Sequence, residues 1–213
     1  MLSDFRDVFF QSNPFAYKPY QWSPPDFQLV VFQEAHPNKV IKRCPFNSGW
    51  IRSCYGEEAL KLVGSNTVSC SGVTIGSRDG ILAYTYLMTQ QLNPSIRGAG
   101  DAGNNKCSST GMDQGFHNWL LYSGVLEKYM EVKYFQQGEG PVNTVGAFKA
   151  GPNALLKWSL EEWGILKGEA PEAYISNWNG DKSPAVHQLD RFLGTSSIGS
   201  HYTQKLEAAQ NLG

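Results

Sequence analysis

The sequence predicts a single α/β domain over residues 1–213. Short apolar runs rich in β-branched and aromatic residues alternate with longer segments in which apolar residues recur at helical spacing. Loops rich in glycine and proline separate the two kinds of segment, and the chain contains 22 glycines and 11 prolines. Polar residues gather after the predicted strands, where α/β proteins carry their binding loops. No repeat, charge run or linker divides the chain, and residues from about 193 to 213 are predicted to form a peripheral tail.

Four segments are predicted as strands because each is a short apolar run bounded by turn-forming residues. They are Val8–Phe10, residues 27–32, residues 67–75 and Val132–Phe135. The third run contains Gly72, and a glycine inside a strand predicts a bulge or a close approach of the backbone to a ligand.

Helices are predicted where apolar residues recur every three or four positions. They cover residues 59–62, in a helix that ends at Gly64, and residues 78–92, 112–130 and 155–166, with a weaker one over 202–212. Ser77 is the expected N-cap of the second of these helices.

The composition excludes several classes of protein. The net charge is only −1, whereas proteins held to nucleic acid by phosphate contacts are normally basic. Aromatic residues make up 13% of the chain, which is too many for a disordered protein. No apolar run approaches the ~18 residues of a membrane span. Of the four cysteines, Cys44 and Cys54 could pair across a short loop, or all could stay as thiols.

Asp4 and Asp7 flank Arg6 at the start of the first predicted strand. Two carboxylates at a strand end can hold a hard divalent cation, which prefers oxygen ligands. Carboxylates three residues apart lie on opposite faces of an extended strand, so the chain must turn between them to do this. The alternative is a solvated loop with a local ion pair.

A second polar group opens the predicted helix over residues 112–130. On a helix Asp113 and His117 share one face, and Gln114 and Asn118 share the neighbouring face. Four hydrogen-bonding side chains near a helix N-terminus suit a hydroxyl-rich ligand. The alternative is a helix start stabilised by an acidic residue near the positive end of the helix dipole.

Two further groups contain small or polar residues. Residues 177–184 form a turn in which Gly180 and Lys182 could approach a diphosphate with backbone N–H groups and a point charge, and His187 follows. Residues 47–50 and 69–72 contain small residues, predicted beside a strand, where a planar ligand or a sugar could come close. A surface turn and ordinary core packing are the competing interpretations.

In their order these motifs resemble those of GT-A-fold, nucleotide-sugar-dependent glycosyltransferases of the glycogenin and galactinol synthase type. The resemblance spans residues 1 to about 192. It rests on the acidic strand end, on FFQSNPF (9–15), on SGVTIG (71–76), on DQGFHNWL (113–120) and on the segment 177–192. It implies a GT-A-like mixed sheet flanked by helices.

The resemblance also implies a metal site. Asp4 and Asp7 take the place of the Asp-x-Asp that holds Mn²⁺, or Mg²⁺, against the donor diphosphate. The family has a histidine ligand where this chain has Asn177, so His187 is expected to complete the site. Arg6 is placed with the donor-binding residues.

The remaining roles concern the donor. Asp113 and Gln114 match the residues that open a helix under the transferred sugar, and they are the catalytic candidates. Side chains and backbone around the sugar and diphosphate are matched by Ser71, Gly72, Asn118, Asn179, Gly180 and Lys182. The implied partners are a nucleotide-sugar donor and a carbohydrate, glycan or glycoconjugate acceptor.

In that fold, βαβ units that bind the base and ribose precede the metal-binding strand end. Each unit takes about 30 residues, so the resemblance implies an N-terminally truncated enzyme that lacks roughly 60–100 residues and keeps the acceptor side.

Two other functions stay open. One is a non-catalytic carbohydrate-binding or scaffold protein on a decayed transferase fold, which the three-residue step from Asp4 to Asp7 and the asparagine at 177 favour. The other is a hydrolase that uses Asp113 or Glu139 with a second carboxylate at a defined separation.

Overall fold

The computed structural model describes residues 1–4, 7–17, 28–34, 39–97, 107, 109–146, 160–161, 163–169 and 172–192. The chain divides into two compact units. The first unit consists of Met1–Ser3 and Trp22–Gln136, and the second of Asp4–Gln21 and Gln137–Gly213. The expected single domain spans both units. The tail from 193 to 213 and the weak helix over 202–212 lie outside the described residues.

The first unit is built on a mixed four-stranded sheet. Its strands lie in the order β1 (Leu2–Ser3), β4 (Ser69–Gly76), β3 (Leu29–Gln33) and β5 (Val132–Phe135). β4 is antiparallel to both of its neighbours, and β3 is parallel to β5. The first four residues of β3 are all buried, which is why its sequence is a continuous apolar run instead of an alternating one.

The described residues of the first unit form five helices. They are α1 (Pro45–Tyr55), α2 (Glu57–Val63), α3 (Arg78–Gln90), α4 (Pro94–Arg97) and α5 (Met112–Tyr122). The predicted cap of α3 is confirmed, because the Ser77 hydroxyl accepts a hydrogen bond from the Gly80 N–H at 3.0 Å. The predicted end of α2 at Gly64 is confirmed as well.

Two buried clusters hold these helices in place. One lies among α1, α2 and α5, and the other lies between α3, α5 and the sheet. A disulfide joins Cys54 of α1 to Cys107 inside the first cluster. The pairing of Cys54 with Cys44 considered above is therefore wrong, because Cys54 is already bonded to a residue 53 positions along the chain.

Three predictions of helices are also wrong. The helix expected over 112–130 ends at Tyr122, because Gly124 reverses the chain at a φ of 78°. Residues 45–55 form α1, where no helix was predicted. The C-terminal part of the helix expected over 155–166 is a turn followed by a strand that begins at Leu166, and 155–159 lie outside the described residues.

The second unit contains a mixed three-stranded sheet. Its central strand is β9 (Ala185–His187), which runs antiparallel to β2 (Val8–Phe10) and parallel to β6 (Val142–Thr144). A small hairpin joins β7 (Leu166–Lys167) to β8 (Tyr174–Ile175). All three residues of β9 are buried, and Val186 belongs to the apolar cluster of the unit.

The architecture is thus mixed α/β with mixed sheets, as the sequence predicted. Across the described stretches, every helix is too short or too polar to cross a membrane.

Candidate functional site

The register between β2 and β9 determines where the first acidic motif lies. Val8 is paired with His187, so Asp7 and His187 stand at the same end of this two-stranded ladder. The N–H of Gln188 donates to the Asp7 carbonyl oxygen at 2.7 Å, which extends the pairing by one step. Asp4 reaches the same place, and the structure therefore brings together the three residues expected to hold a metal.

The distances within this cluster suit a shared cation. Nε2 of His187 lies 3.4 Å from Oδ2 of Asp4 and 3.6 Å from Oδ1 of Asp7. One ligand atom of each residue lies within 4.8 Å of the other two. Ligands about 2.1 Å from an octahedral ion are about 3.0 Å apart when adjacent and about 4.2 Å when opposite. Shifts of a few tenths of an ångström would place all three atoms around one ion.

The three side chains differ in exposure. The exposed fraction of the side chain is 1% for His187, 19% for Asp7 and 57% for Asp4. A buried imidazole is therefore overlaid by carboxylates that reach solvent. Two oxygen ligands and one nitrogen ligand can bind several divalent ions, among them Mn²⁺ and Mg²⁺.

Electrostatics keep Asp7 ionised. The neighbouring imidazole of His187 lowers the pKa of the Asp7 carboxyl, and the charge of Arg191 also lowers it, whereas partial burial acts in the opposite direction. A carboxylate is the form that binds a metal. Sequence reasoning did not find Arg191 as a neighbour of this cluster. Its position four residues after His187, on the short helix that follows β9, is the signal that could have indicated it.

A second polar site lies in the first unit, where α5 packs on β4. Asp113 is exposed in the first turn of α5, and its Oδ2 accepts a hydrogen bond from the Ser71 hydroxyl at 2.8 Å. Gln114 extends its amide toward Oδ1 of Asn47 at 3.4 Å. Three of the predicted residues are therefore grouped where α5 meets β4.

Asn118 does not belong to the accessible part of this site, in contrast to its predicted role in sugar binding. Its side chain is completely buried. Its amide accepts from the Ser69 N–H and donates to the Ser69 carbonyl oxygen, each at 2.8 Å, and it also donates to the Gln114 carbonyl oxygen. Asn118 therefore anchors α5 to the backbone of β4.

Two other expectations about this region need correction. Residues 47–50 lie within α1 and not in a segment beside a strand, and Asn47 is buried. Gly72, predicted to let a sugar approach, is a buried residue of β4. The accessible candidates of the first unit are thus Asp113, Gln114 and Ser71.

Hydrogen bonds within the turn over residues 177–182, and from this turn to neighbouring segments, hold it in place. Asn177 is buried and donates to the Tyr17 hydroxyl at 2.8 Å and to the Gly140 carbonyl oxygen at 2.7 Å. Asn179 donates to Oδ2 of Asp181 at 2.8 Å, and Gly180 has a φ of 88°, which favours glycine. Asn177 therefore has a structural role at the position where a histidine ligand was expected.

Lys182 does not accompany the acidic cluster. It precedes Pro184, at the end of β9 opposite to His187. Its ammonium group lies 5.6 Å from the centre of the Tyr174 ring. The turn that carries Asn179, Gly180 and Lys182 thus precedes β9, whereas the acidic cluster lies at the end of β9 marked by His187. Arg6 lies outside the described residues.

No family model, curated protein or solved structure matches this chain. The arguments below therefore rest on the residues and their geometry.

Proposed function

We propose that this protein is a metal-dependent glycosyltransferase that moves a sugar from a nucleotide-diphosphate donor to a carbohydrate, glycan or glycoconjugate acceptor. The observation that carries the proposal is the convergence of Asp4, Asp7 and His187 on one point of the second unit. These residues come from opposite ends of the chain and meet only because β2 pairs with β9.

Two of the three residues of the cluster are preorganised for binding a metal ion. A divalent ion bound there would neutralise the negative charge that develops on the leaving nucleoside diphosphate. His187 is immobilised by burial in the central strand, and Asp7 is held as a carboxylate beside it. Asp4, the most exposed of the three, remains accessible from solvent. Little conformational freedom is lost when such a site is filled.

Asp113, Gln114 and Ser71 support the sugar-binding part of the proposal. The hydroxyl of Ser71 fixes one oxygen of the exposed Asp113 carboxylate, so that this carboxylate can accept hydrogen bonds from sugar hydroxyls in a defined direction. Gln114 provides an amide one residue further along α5. These roles in catalysis and donor binding are part of the proposal.

The metal site is tested first by binding, independently of turnover. We expect the full chain to bind Mn²⁺, and electron paramagnetic resonance of the free ion measures this binding. We expect the double variant Asp4→Ala/Asp7→Ala to bind it at least about a hundredfold more weakly, because two of three ligands are lost. Glu169→Gln removes an exposed carboxylate of the same unit and serves as the matched control.

Turnover is then tested with a panel of nucleotide sugars and neutral oligosaccharide acceptors, by measuring the nucleoside diphosphate that is released. We expect one donor to be consumed with Mn²⁺ or Mg²⁺, and the chelator EDTA to abolish this activity. The proposal is wrong if no donor is consumed at saturating metal, or if the double variant binds metal and turns over as the unmodified chain does.

A further inference from the structure

The second unit contains a shallow groove of about 610 Å³ that is separate from the acidic cluster. One wall is the segment from Ser12 to Tyr17, which includes a short 3₁₀ turn. The other wall is formed by Asp181, Lys182 and Pro184. The groove takes part in none of the metal contacts described above.

Hydrogen bonds fix the two walls against each other. The N–H groups of Gln11 and Ser12 both donate to the Pro184 carbonyl oxygen, at 2.7 and 3.1 Å. The Gln11 amide bonds in addition to the backbone of Ile175 and Ser183. The groove therefore has its shape before a ligand binds, which lowers the entropic cost of binding.

The polar groups of the groove suit a neutral ligand. Asp181 and Lys182 are adjacent exposed residues of opposite charge, so their charges cancel for a ligand that contacts both. A diphosphate, in contrast, is bound by groups of cations and N–H donors. Ser12 adds a hydroxyl, and Asn13 uses its oxygen to accept from the Phe15 N–H at 2.9 Å, so a ligand would meet its NH₂ group. Such a mixture of donors and acceptors matches hydroxyl groups, which need both.

Two exposed aromatic rings lie close in sequence to the groove residues, although neither belongs to the groove lining. Phe15 is 55% exposed and Trp178 is 51% exposed. The orientation of the Trp178 indole is fixed, because the ring packs on Gly138 and donates its N–H to the Gln137 carbonyl oxygen. Exposed apolar surface beside polar groups is typical of binding sites, and a sugar ring offers an apolar face together with a polar rim.

The groove is close to the acidic cluster along the strand. Pro184 precedes His187 by three residues, which corresponds to roughly 10 Å in an extended strand. A short oligosaccharide could occupy the groove while one of its ends extends toward the metal site.

We propose that this groove binds a neutral oligosaccharide, as the extended part of the acceptor. The role of this oligosaccharide as an acceptor rests on the proposed function, whereas its binding to the groove does not. Asp181, Lys182 and Ser12, which all line the groove, bind its hydroxyl groups.

The test uses the full chain in EDTA, so that metal plays no part. The probes are cello-, xylo-, manno-, malto- and galacto-hexaoses, together with an acidic hexagalacturonate and inorganic diphosphate, and binding is measured by isothermal titration calorimetry. The groove variants are Ala16→Trp, which fills the space from an exposed position, and Asp181→Ala. Lys167→Ala and Glu169→Ala are the controls, because both change exposed charges of the same unit. Circular dichroism confirms that each variant is folded.

We expect at least one neutral hexaose to bind. Asp181→Ala should bind it at least about tenfold more weakly, which is the effect of losing one hydrogen bond to a charged group, and Ala16→Trp should bind it more weakly because it fills the groove. The controls should bind as the unmodified chain does. The proposal fails if only the acidic probes bind, if nothing binds, or if the groove variants bind normally.

The two proposals can fail separately. Hexaose binding by a chain that binds no metal and consumes no donor would overturn the proposed transferase and keep the groove as an oligosaccharide site. Metal-dependent turnover of a donor, with hexaose binding absent or unaffected in the groove variants, would do the reverse.

Discussion

His117 allows a sharp test of the packing of α5 on β4 through the pH dependence of stability. Its imidazole is completely buried, with Nδ1 2.7 Å from the Tyr84 hydroxyl and Nε2 2.9 Å from the Ser69 hydroxyl. The Ser69 hydroxyl donates to the Phe32 carbonyl oxygen at 3.4 Å, so it accepts from Nε2–H of His117. Nδ1 then accepts the Tyr84 proton, and an added proton on Nδ1 would remove this acceptor.

The magnitude follows from the pKa. Burial lowers the pKa of His117 from 6.5 to about 3. Between these two values the unfolded chain binds a proton that the folded chain does not, so acid favours unfolding. The loss of stability begins as the pH falls below about 6.5 and continues to about 3, at about 1.4 kcal/mol for each pH unit. Between pH 7 and pH 5, His117 alone should lower the free energy of unfolding by about 2 kcal/mol.

The assay compares the unmodified chain with His117→Gln by urea unfolding at pH 7, 6 and 5. Glutamine keeps a donor and an acceptor but takes up no proton, so the variant should lose less stability in acid. At pH 7 the variant should be less stable than the unmodified chain, because the buried ring is lost. The difference between the two proteins should shrink by about 2 kcal/mol from pH 7 to pH 5. A constant difference would refute the reasoning, because the acid response of every other group is common to both proteins.

Two other stability measurements test the first unit. The disulfide between Cys54 and Cys107 closes a loop with a sequence separation of 53 residues; the double serine variant should lose about 4 kcal/mol on the chain-entropy relation, and a loss below about 1 kcal/mol in urea unfolding would contradict this role. Asn118→Ala leaves a buried N–H and carbonyl group of β4 without their side-chain partner, so thermal unfolding should show a loss of about 3 kcal/mol. A variant as stable as the unmodified chain would mean that Asn118 is not an anchor.

The strands β2, β3, β4 and β5 and the start of helix α3 could be predicted because their signals are local. Short apolar runs bounded by turn residues, the Ser77 cap and the glycine after α2 act within a few residues of the structure that they determine. The missed helix α1 has weaker local signals, since Pro45–Tyr55 contains a glycine and few strongly helical residues. It is stabilised instead by the apolar cluster that Ile51 and Cys54 join with α2 and α5.

The roles of the polar residues depend on contacts far apart in sequence, and there prediction succeeded only in part. Asp113 and Asn118 are both polar residues of the same helix, yet one is exposed and the other is buried. The difference arises because Asn118 faces the backbone of β4, and a buried amide there must satisfy the groups that it meets. Helical spacing predicts which residues share a face, but not which face the sheet covers.

The register of one strand pair separates the two halves of the C-terminal motif. The resemblance implied that Lys182 and His187 act at one diphosphate, Lys182 on the phosphate and His187 through the metal. The chain between them is extended, however, and carries residues apart at about 3.3 Å for each step. His187 therefore joins Asp4 and Asp7 at one end of β9, and Lys182 joins the groove at the other. Residues 182–187 therefore place a candidate metal ligand at one end of β9 and a residue of the proposed oligosaccharide groove at the other.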